Sequence, residues 1–444
     1  MSVAEAHGET LEQALASTYA ANPTLNSQRA VTRATDEYVP IALAGYRPQV
    51  TGSASIGTQW AEVRYNAGSG SANYRYKADP STLAITISQS VYDGLKTASS
   101  VRGAEFQVRG QRELLRNTEQ LVLLDGVTAY MNVLQNAALL DLQKQNVAAL
   151  REELRAARDR FSVGEVTRTD VAQAEASVAS AESELASETA NLNTANATFF
   201  QVIGQQPKNL APGRPADHLL PASMDAAVDS GLAHHPAILA SQFAVDQQVS
   251  NVKVAEAALS PTLSMKGQSG VQYNYYDDGV PIERGTSASA TLDLTIPIYQ
   301  GGSEYANIRK SKELLGQSRN EVEVKRQQVR ANVVQYWGAL RAARDAITSA
   351  QVSVAANEIA LRGVREEWRV GQRTTIDVLN AQTSLFNARS SLVTAERDRV
   401  VASYSLLAAV GQLNARELGL KVALYNPQVH YNQVRDAWIG VRTP

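Results

Sequence analysis

Two stretches of the sequence, 207 residues apart, share one pattern and decide the fold. They are Arg160-Phe-Ser-Val-Gly-Glu-Val-Thr-Arg-Thr-Asp-Val171 and Glu367-Trp-Arg-Val-Gly-Gln-Arg-Thr-Thr-Ile-Asp-Val378. In each stretch, a glycine suited to end one helix is followed by a Thr-x-x-Asp pattern, which is typical of the first turn of another helix. Each stretch therefore predicts the apex of a helical hairpin, and the matched pair predicts an internal tandem repeat.

The repeat extends toward the start of the chain. Asn22-Pro23 and Arg47-Pro48 match His235-Pro236 and Ser260-Pro261 at an offset of 213 residues. The offset between the two repeats changes from 213 to 207 residues between strand-like segments. A loop of different length in the two repeats explains this change. We predict a first repeat over residues 1–213, a second over 214–413, and an equatorial region from 205–231 and 414–444.

Long helices are predicted on both sides of each apex. Apolar residues at alternating spacings of three and four, with small side chains among them, predict a coiled-coil seam. The seam residues are Val171, Ala174, Val178, Ala181 and Leu185, with the matching Val378, Ala381, Leu385, Ala388 and Leu392. The predicted helices cover about 95–160 and 168–203 in the first repeat, and about 303–368 and 375–411 in the second.

Four segments alternate between apolar and polar residues with a period of two, which predicts strands. They cover about 46–60, 81–92, 261–276 and 286–299. Alternation of this kind is typical of membrane barrels, although an ordinary soluble sheet would also produce it. Aromatic residues near the strand ends resemble two interfacial girdles: Trp60, Tyr65, Tyr74, Tyr76, Tyr273, Tyr275 and Tyr276 at one end, and Tyr46, Tyr92 and Tyr299 at the other. Since the smallest membrane barrels use about 8 strands, several chains would have to contribute to one barrel.

The composition excludes several functions. The chain has 444 residues, 42 basic and 44 acidic side chains, and no cysteine. A net charge of -2 makes nucleic acid an unexpected partner, and the lack of cysteine excludes disulfides and thiolate metal sites. No apolar run is long enough for a membrane-spanning helix, and the start of the chain has no secretion signal, which is either lacking or already removed. No histidine pair, phosphate loop or nucleophile pattern predicts a metal, a cofactor or an enzyme.

The paired Val-Gly-x-x-Thr apices, the strand entries at Arg47-Pro48 and Ser260-Pro261, and the segment Pro297-Ile-Tyr-Gln-Gly-Gly302 together resemble the TolC-type outer-membrane channel family. The resemblance covers nearly the whole chain. It implies a homotrimer in the bacterial outer membrane, with four strands per chain forming one 12-stranded barrel and an α-helical tunnel reaching into the periplasm. It also implies a periplasmic adaptor protein and an inner-membrane transporter, of the ABC class or another export class, as partners beside outer-membrane lipid.

The same resemblance implies roles for residues at the two apices. Asp377 would form a carboxylate ring at the tunnel end, where mutual repulsion raises the pKa, and Asn380 stands where a second acidic ring is often found. Contacts among Thr169, Asp170, Trp368 and Arg373 would close the tip, including an Arg373–Asp170 ion pair. The alternative reading is that both aspartates only cap their helices. The adaptor would dock at the exposed apices Val163-Gly164 and Val370-Gly371.

Three functions follow. The resemblance favours an export duct, and most of all one for type I protein secretion. A multidrug efflux duct is an alternative with the same architecture. A periplasmic coiled-coil adaptor or scaffold without a channel is the third, and it leaves the strand pairs with their aromatic ends unexplained.

Overall fold

The computed structural model describes residues 8–67, 70–277 and 280–443. It is mostly helical, with two helices of 67 residues each. At about 1.5 Å per residue, each of these two helices is roughly 100 Å long. The helices are Leu11–Ala21 (α1), Pro23–Asp36 (α2), Tyr38–Leu43 (α3), Lys96–Ser162 (α4), Arg168–Ile203 (α5), Met224–His234 (α6), Pro236–Glu256 (α7), Ser303–Arg369 (α8), Thr375–Ala409 (α9) and Pro427–Val434 (α10).

The strands form one four-stranded sheet and a two-stranded extension. They are Gln49–Ile56 (β1), Gln59–Ala67 (β2), Gly70–Ala78 (β3), Ser81–Tyr92 (β4), Thr262–Asp277 (β5) and Val280–Thr295 (β6). The larger sheet has the order β1-β4-β5-β6, all antiparallel, and β2 pairs with β3. Among the described residues, β1 and β6 therefore each pair along one edge only.

The strand register separates apolar from polar residues. Ile85 lies opposite Gly52 on one side and Ser269 on the other, and Met265 lies opposite Leu292. Because cross-strand partners share a face, one face is largely apolar and carries Val50, Ala54, Leu83, Ile85, Ile87, Leu263, Met265, Val271, Leu292 and Leu294. The other face carries Thr51, Ser53, Thr86, Ser88, Ser264, Lys266, Gln268, Ser289, Thr291 and Asp293. The alternation seen in the sequence is thus a true division into two faces.

Three strand predictions differ from the structure. The segment predicted at about 46–60 is not one strand, since β1 ends at Ile56 and β2 begins at Gln59. The segment predicted at about 286–299 is β6, which begins at Val280 and ends at Thr295. Pro297 has no N–H to donate to a ladder, so Ile298 and Tyr299 lie beyond the strand. The residues after 60, which the alternation did not assign to a strand, continue as β2 and β3.

The chain divides into two compact units, which do not coincide with the predicted repeats. One unit comprises Met1–Thr32, Gln111–Ser241 and Val322–Pro427, and the other comprises Arg33–Gly110, Gln242–Glu321 and Gln428–Pro444. Each unit takes segments from both halves of the sequence. The physical reason is that helices from the two halves pack on each other, as α5 does on α9.

The first unit contains the predicted helix seams. Ala174, Val178 and Ala181 of α5 are buried against Val147 and Leu150 of α4. In the second hairpin, Val378 and Leu385 of α9 are buried with Leu361 of α8. The small residues of the seam let the helices approach closely, as the spacing predicts.

A larger core in the same unit surrounds Tyr130, which is fully buried and contacts Phe199. The Tyr130 hydroxyl lies 2.7 Å from the carbonyl oxygen of Glu9 and 2.6 Å from that of Ala211. The hydroxyl donates to one of these carbonyls at a time, and burial raises its pKa. No described helix is apolar over a length sufficient to cross a membrane.

Candidate functional site: the two hairpin apices

Both apices end their first helix in the same way. Gly164 and Gly371 have φ angles of +82° and +77°, in the left-handed region that other residues rarely adopt. The amide N–H of Gly164 donates to Phe161 O at 3.0 Å, and that of Glu165 donates to Arg160 O at 2.9 Å. At the second apex, the N–H of Gly371 donates to Trp368 O at 3.0 Å, and that of Gln372 donates to Glu367 O at 2.9 Å. This is a Schellman motif, which satisfies the last carbonyls of α4 and α8.

The next helix begins with a capping box at each apex. At the first, the Asp170 carboxylate accepts bonds from the backbone N–H of Thr167 at 2.9 Å and from its hydroxyl at 2.7 Å. At the second, Asp377 accepts from the N–H of Thr374 at 3.0 Å and from its hydroxyl at 2.8 Å. Both aspartates therefore cap their own helices, as the sequence pattern predicts.

Within one chain, the helix cap sets the direction in which the pKa of Asp377 is shifted. The Thr374 hydroxyl and the Thr374 backbone N–H hold the pKa of this carboxyl below its usual range, and the nearby Arg373 charge acts the same way. Repulsion between several copies was expected to raise it. Among the described residues, no second carboxylate acts on Asp377, so hydrogen bonding to the charged form determines the direction, and the repulsion between copies stays a prediction.

The expected ion pair between Arg373 and Asp170 is not formed within the chain. Arg373 Nε instead donates to Glu367 Oε2 at 2.7 Å, and this bond is the main reason that the pKa of Arg373 is raised. Glu367 lies in the last turn of α8, on the same hairpin as Arg373. The Asp170 carboxylate is meanwhile held by Thr167.

A contact that the sequence did not predict joins the two apices. The guanidinium carbon of Arg160, in the last turn of α4, lies 4.4 Å from the centre of the Trp368 ring. Its Nη1 is 3.5 Å from Trp368 O, and its Nε bonds Glu165 Oε2 at 2.9 Å. The arrangement is a cation–π contact held in place by an ion pair. A basic residue at the end of α4 could be seen in the sequence, but its aromatic partner 208 residues later could not.

Other predicted residues lie on the surface of the apices. Val163 is 70% exposed and Val370 is 71% exposed. Thr169 is exposed in the first turn of α5, and Asn380 is exposed in the second turn of α9. The two apices thus expose an aliphatic side chain at matched positions.

The aromatic residues near the strand ends are mostly exposed. Tyr46, Tyr92 and Tyr299 are 50%, 46% and 76% exposed, near the ends where the strands meet the helices. Trp60 and Tyr273 are exposed farther along the strands. The ring of Tyr76 stacks on Tyr276 at 4.0 Å, and the ring of Tyr275 covers Gly285 on the neighbouring strand. The side chains of Tyr65 and Tyr74 lie outside the described part of the chain.

Comparison with known proteins assigns a class to this arrangement. The family model for the outer membrane efflux protein matches residues 14–205 and 227–412. The chain is 46% identical to the outer membrane efflux protein BepC of Brucella suis biovar 1 (strain 1330), over 98% of this chain and 92% of BepC. It is 24% identical to the outer membrane protein TolC of Escherichia coli (strain K12), over 94% and 86%. The structure of the Campylobacter jejuni CmeC outer membrane channel matches with a TM-score of 0.79 at 16% identity, covering 96% of this chain and 89% of that one.

These findings identify a transport channel of the bacterial outer membrane. The chain belongs to the outer membrane efflux protein family. The resemblance to TolC-type channels is confirmed, as are the outer-membrane location and the expectation that the protein is a transport duct and not an enzyme.

Proposed function

We propose that three copies of this chain form the outer-membrane exit duct of a tripartite export system. The observation that carries the proposal is the four-stranded sheet, with one apolar face, one polar face, and edge strands β1 and β6 each paired on one side. In lipid, each unpaired backbone group at such an edge costs several kcal/mol. Three copies joined edge to edge give a closed 12-stranded barrel, with the apolar face toward lipid and the polar face toward the pore.

The helices would form the periplasmic part of the duct. Helices α4 and α8, each roughly 100 Å long, are long enough to reach far into the periplasm. The tandem repeat would give each chain two similar hairpins, so that six hairpins surround one tunnel. The family match to residues 14–205 and 227–412 supports this division.

The tip is proposed as the gate. Asp377 from three chains would form a carboxylate ring that concentrates cations, and Asn380, one turn further on, would leave this ring without a second acidic one. Arg373 would bond Asp170 and Thr169 of a neighbouring chain. Its bond to Glu367 within its own chain would then break. Trp368 contributes to closure through Arg160.

The partners would be a periplasmic adaptor and an inner-membrane transporter, of the ABC class or another export class. Adaptor docking is assigned to Val163-Gly164 and Val370-Gly371, because both valines are exposed at the apices. Apolar side chains at such a position favour contact with another protein.

We assign type I protein secretion as the export process, with a secreted protein as cargo. Efflux of small molecules is the second candidate. BepC, which is 46% identical, carries the name of an efflux protein, and this favours the second candidate. Deleting the gene for this protein from its source bacterium is expected to remove one export activity. Loss of a protein from the culture medium would assign secretion, and raised sensitivity to toxic compounds would assign efflux. If neither export changes, the proposed export function is wrong.

Asp377→Asn is expected to relieve block of the channel by divalent cations. A charged constriction raises the local cation concentration by 10-fold or more, so the half-blocking concentration should rise by roughly tenfold in planar-bilayer recordings. Thr374→Ala is the matched control, since it removes the hydroxyl that bonds the Asp377 carboxylate and so weakens the cap of α9, but leaves the carboxylate in place. Equal effects of the two substitutions would assign the change to helix capping and contradict the ring.

A further inference from the structure

The last residues of the chain expose large apolar side chains. After α10 ends at Val434, the C-terminal tail, defined here as residues 435–443, has no helix or strand. Within it, Trp438 is 68% exposed, Ile439 is 96% exposed and Val441 is 101% exposed. Three such side chains within four residues form an apolar patch that water solvates poorly.

The tail is nevertheless held in place. Arg47 Nη1 donates to the carbonyl oxygen of Ala437 at 2.6 Å, and the Arg47 guanidinium carbon lies 4.8 Å from the centre of the Trp438 ring. The preceding helix α10 is anchored by His430, whose Nδ1 lies 3.0 Å from Asp36 Oδ2 with both side chains buried. The position of Trp438 is therefore set by contacts at its own ring, at Ala437 and in the preceding helix.

These contacts place the tail beside the sheet. Arg47 stands between Tyr46, which is half exposed, and β1, which begins at Gln49. Tyr92 and Tyr299 are exposed near the same ends of β4 and β6. The apolar face of the sheet extends to these ends through Val50 and Leu294, which are both exposed. Through its contact with Arg47, Trp438 thus lies next to the start of β1, at the end of the sheet that carries these exposed aromatic and apolar side chains.

We infer that the C-terminal tail is a membrane-surface anchor that seats on phospholipid of the periplasmic leaflet of the outer membrane. Trp438 would lie at the boundary between headgroups and acyl chains, which is where indole rings concentrate in membrane proteins. Ile439 and Val441 would enter the acyl region, and Arg47 and Arg442 would face lipid phosphates. The inference rests on the proposed orientation of the sheet in the membrane.

Tryptophan fluorescence tests this inference. The chain has four tryptophans, so a variant with Trp60→Phe, Trp337→Phe and Trp368→Phe leaves Trp438 as the sole emitter. The full-length variant is reconstituted into vesicles of phosphatidylethanolamine and phosphatidylglycerol with plain or brominated acyl chains. We expect the bromines to reduce Trp438 emission by about twofold, because the indole sits next to the acyl chains.

Two further single-tryptophan variants are the controls. The variant that keeps only Trp337, a half-buried residue of α8 packed in a helical core, should not respond to brominated lipid. The variant that keeps only Trp60, which is exposed on β2, should respond. If Trp60 is quenched and Trp438 is not, the tail inference fails while the membrane-spanning sheet stands. If neither is quenched, the proposed barrel fails as well.

The emission of an unquenched Trp438 identifies what replaces the lipid. Emission at short wavelength that resists iodide would mean that protein, such as a second copy of the chain, covers the tail. Emission at long wavelength that iodide quenches would mean that the tail faces water. Either result overturns the inference.

Discussion

Ile85→Arg is expected to prevent the protein from assembling in the outer membrane. Ile85 is 55% exposed and lies in the middle of the paired part of β4, on the apolar face between Gly52 and Ser269. An arginine facing lipid near the bilayer midplane costs about 2–4 kcal/mol. In a trimer this cost is incurred three times. Membrane fractions should therefore lose the heat-sensitive oligomer on gels.

The neighbouring substitution Thr86→Arg is the matched control. Thr86 is on the polar face, opposite Thr51 and Gln268, where the proposal places the water-filled pore. An arginine there remains hydrated, so the oligomer should form nearly as in the wild type. If the two substitutions affect assembly equally, the assignment of the two faces to lipid and pore is wrong.

Arg160→Ala is expected to favour an open tip. Arg160 joins the two apices of one chain through the Trp368 ring, and its side chain is only 24% exposed. A cation–π contact of this kind is worth about 1 kcal/mol, which corresponds to roughly a fivefold change in the ratio of closed to open tips for each chain. Single-channel recordings should show larger or longer openings than those of the wild type.

Two further substitutions test whether the stacking of Arg160 on the Trp368 ring keeps the tip closed. Arg160→Lys keeps the charge but loses the planar group that lies over the ring, so it should open the tip in part. Arg155→Ala removes an exposed arginine that pairs with Glu152 in its own helix, and it should not change the openings. Unchanged openings in Arg160→Ala would show that the Trp368 contact does not hold the tip closed.

Local sequence patterns predicted much of the fold. The glycines and the capping boxes at Gly164 and Gly371 determine where helices end and begin, because only the adjoining residues take part in those bonds. The two faces of the sheet also follow from the sequence, since side chains alternate along any strand. Pro297 also marks the end of the ladder after β6, because it has no N–H to donate, and the strand ends at Thr295, before the predicted limit at about 299.

The contacts of the charged residues could not be predicted in the same way. Arg373 lies near both Glu367 and Asp377, and its bond to Glu367 depends on side-chain positions that only the folded hairpin fixes. Arg160 finds Trp368 only because α4 and α8 end side by side. The family resemblance implied an Arg373–Asp170 pair that one chain does not form, because surface ion pairs are weak and easily exchanged.

Planar-bilayer recording of the purified wild-type protein tests the central claim most directly. If three chains close one gated duct, a preparation that runs as a heat-sensitive oligomer should give small, uniform conductance steps that divalent cations block from the side of the tip. A well-folded preparation that gives no steps would contradict the duct. The coiled-coil adaptor or scaffold would then be the better account of the long helices.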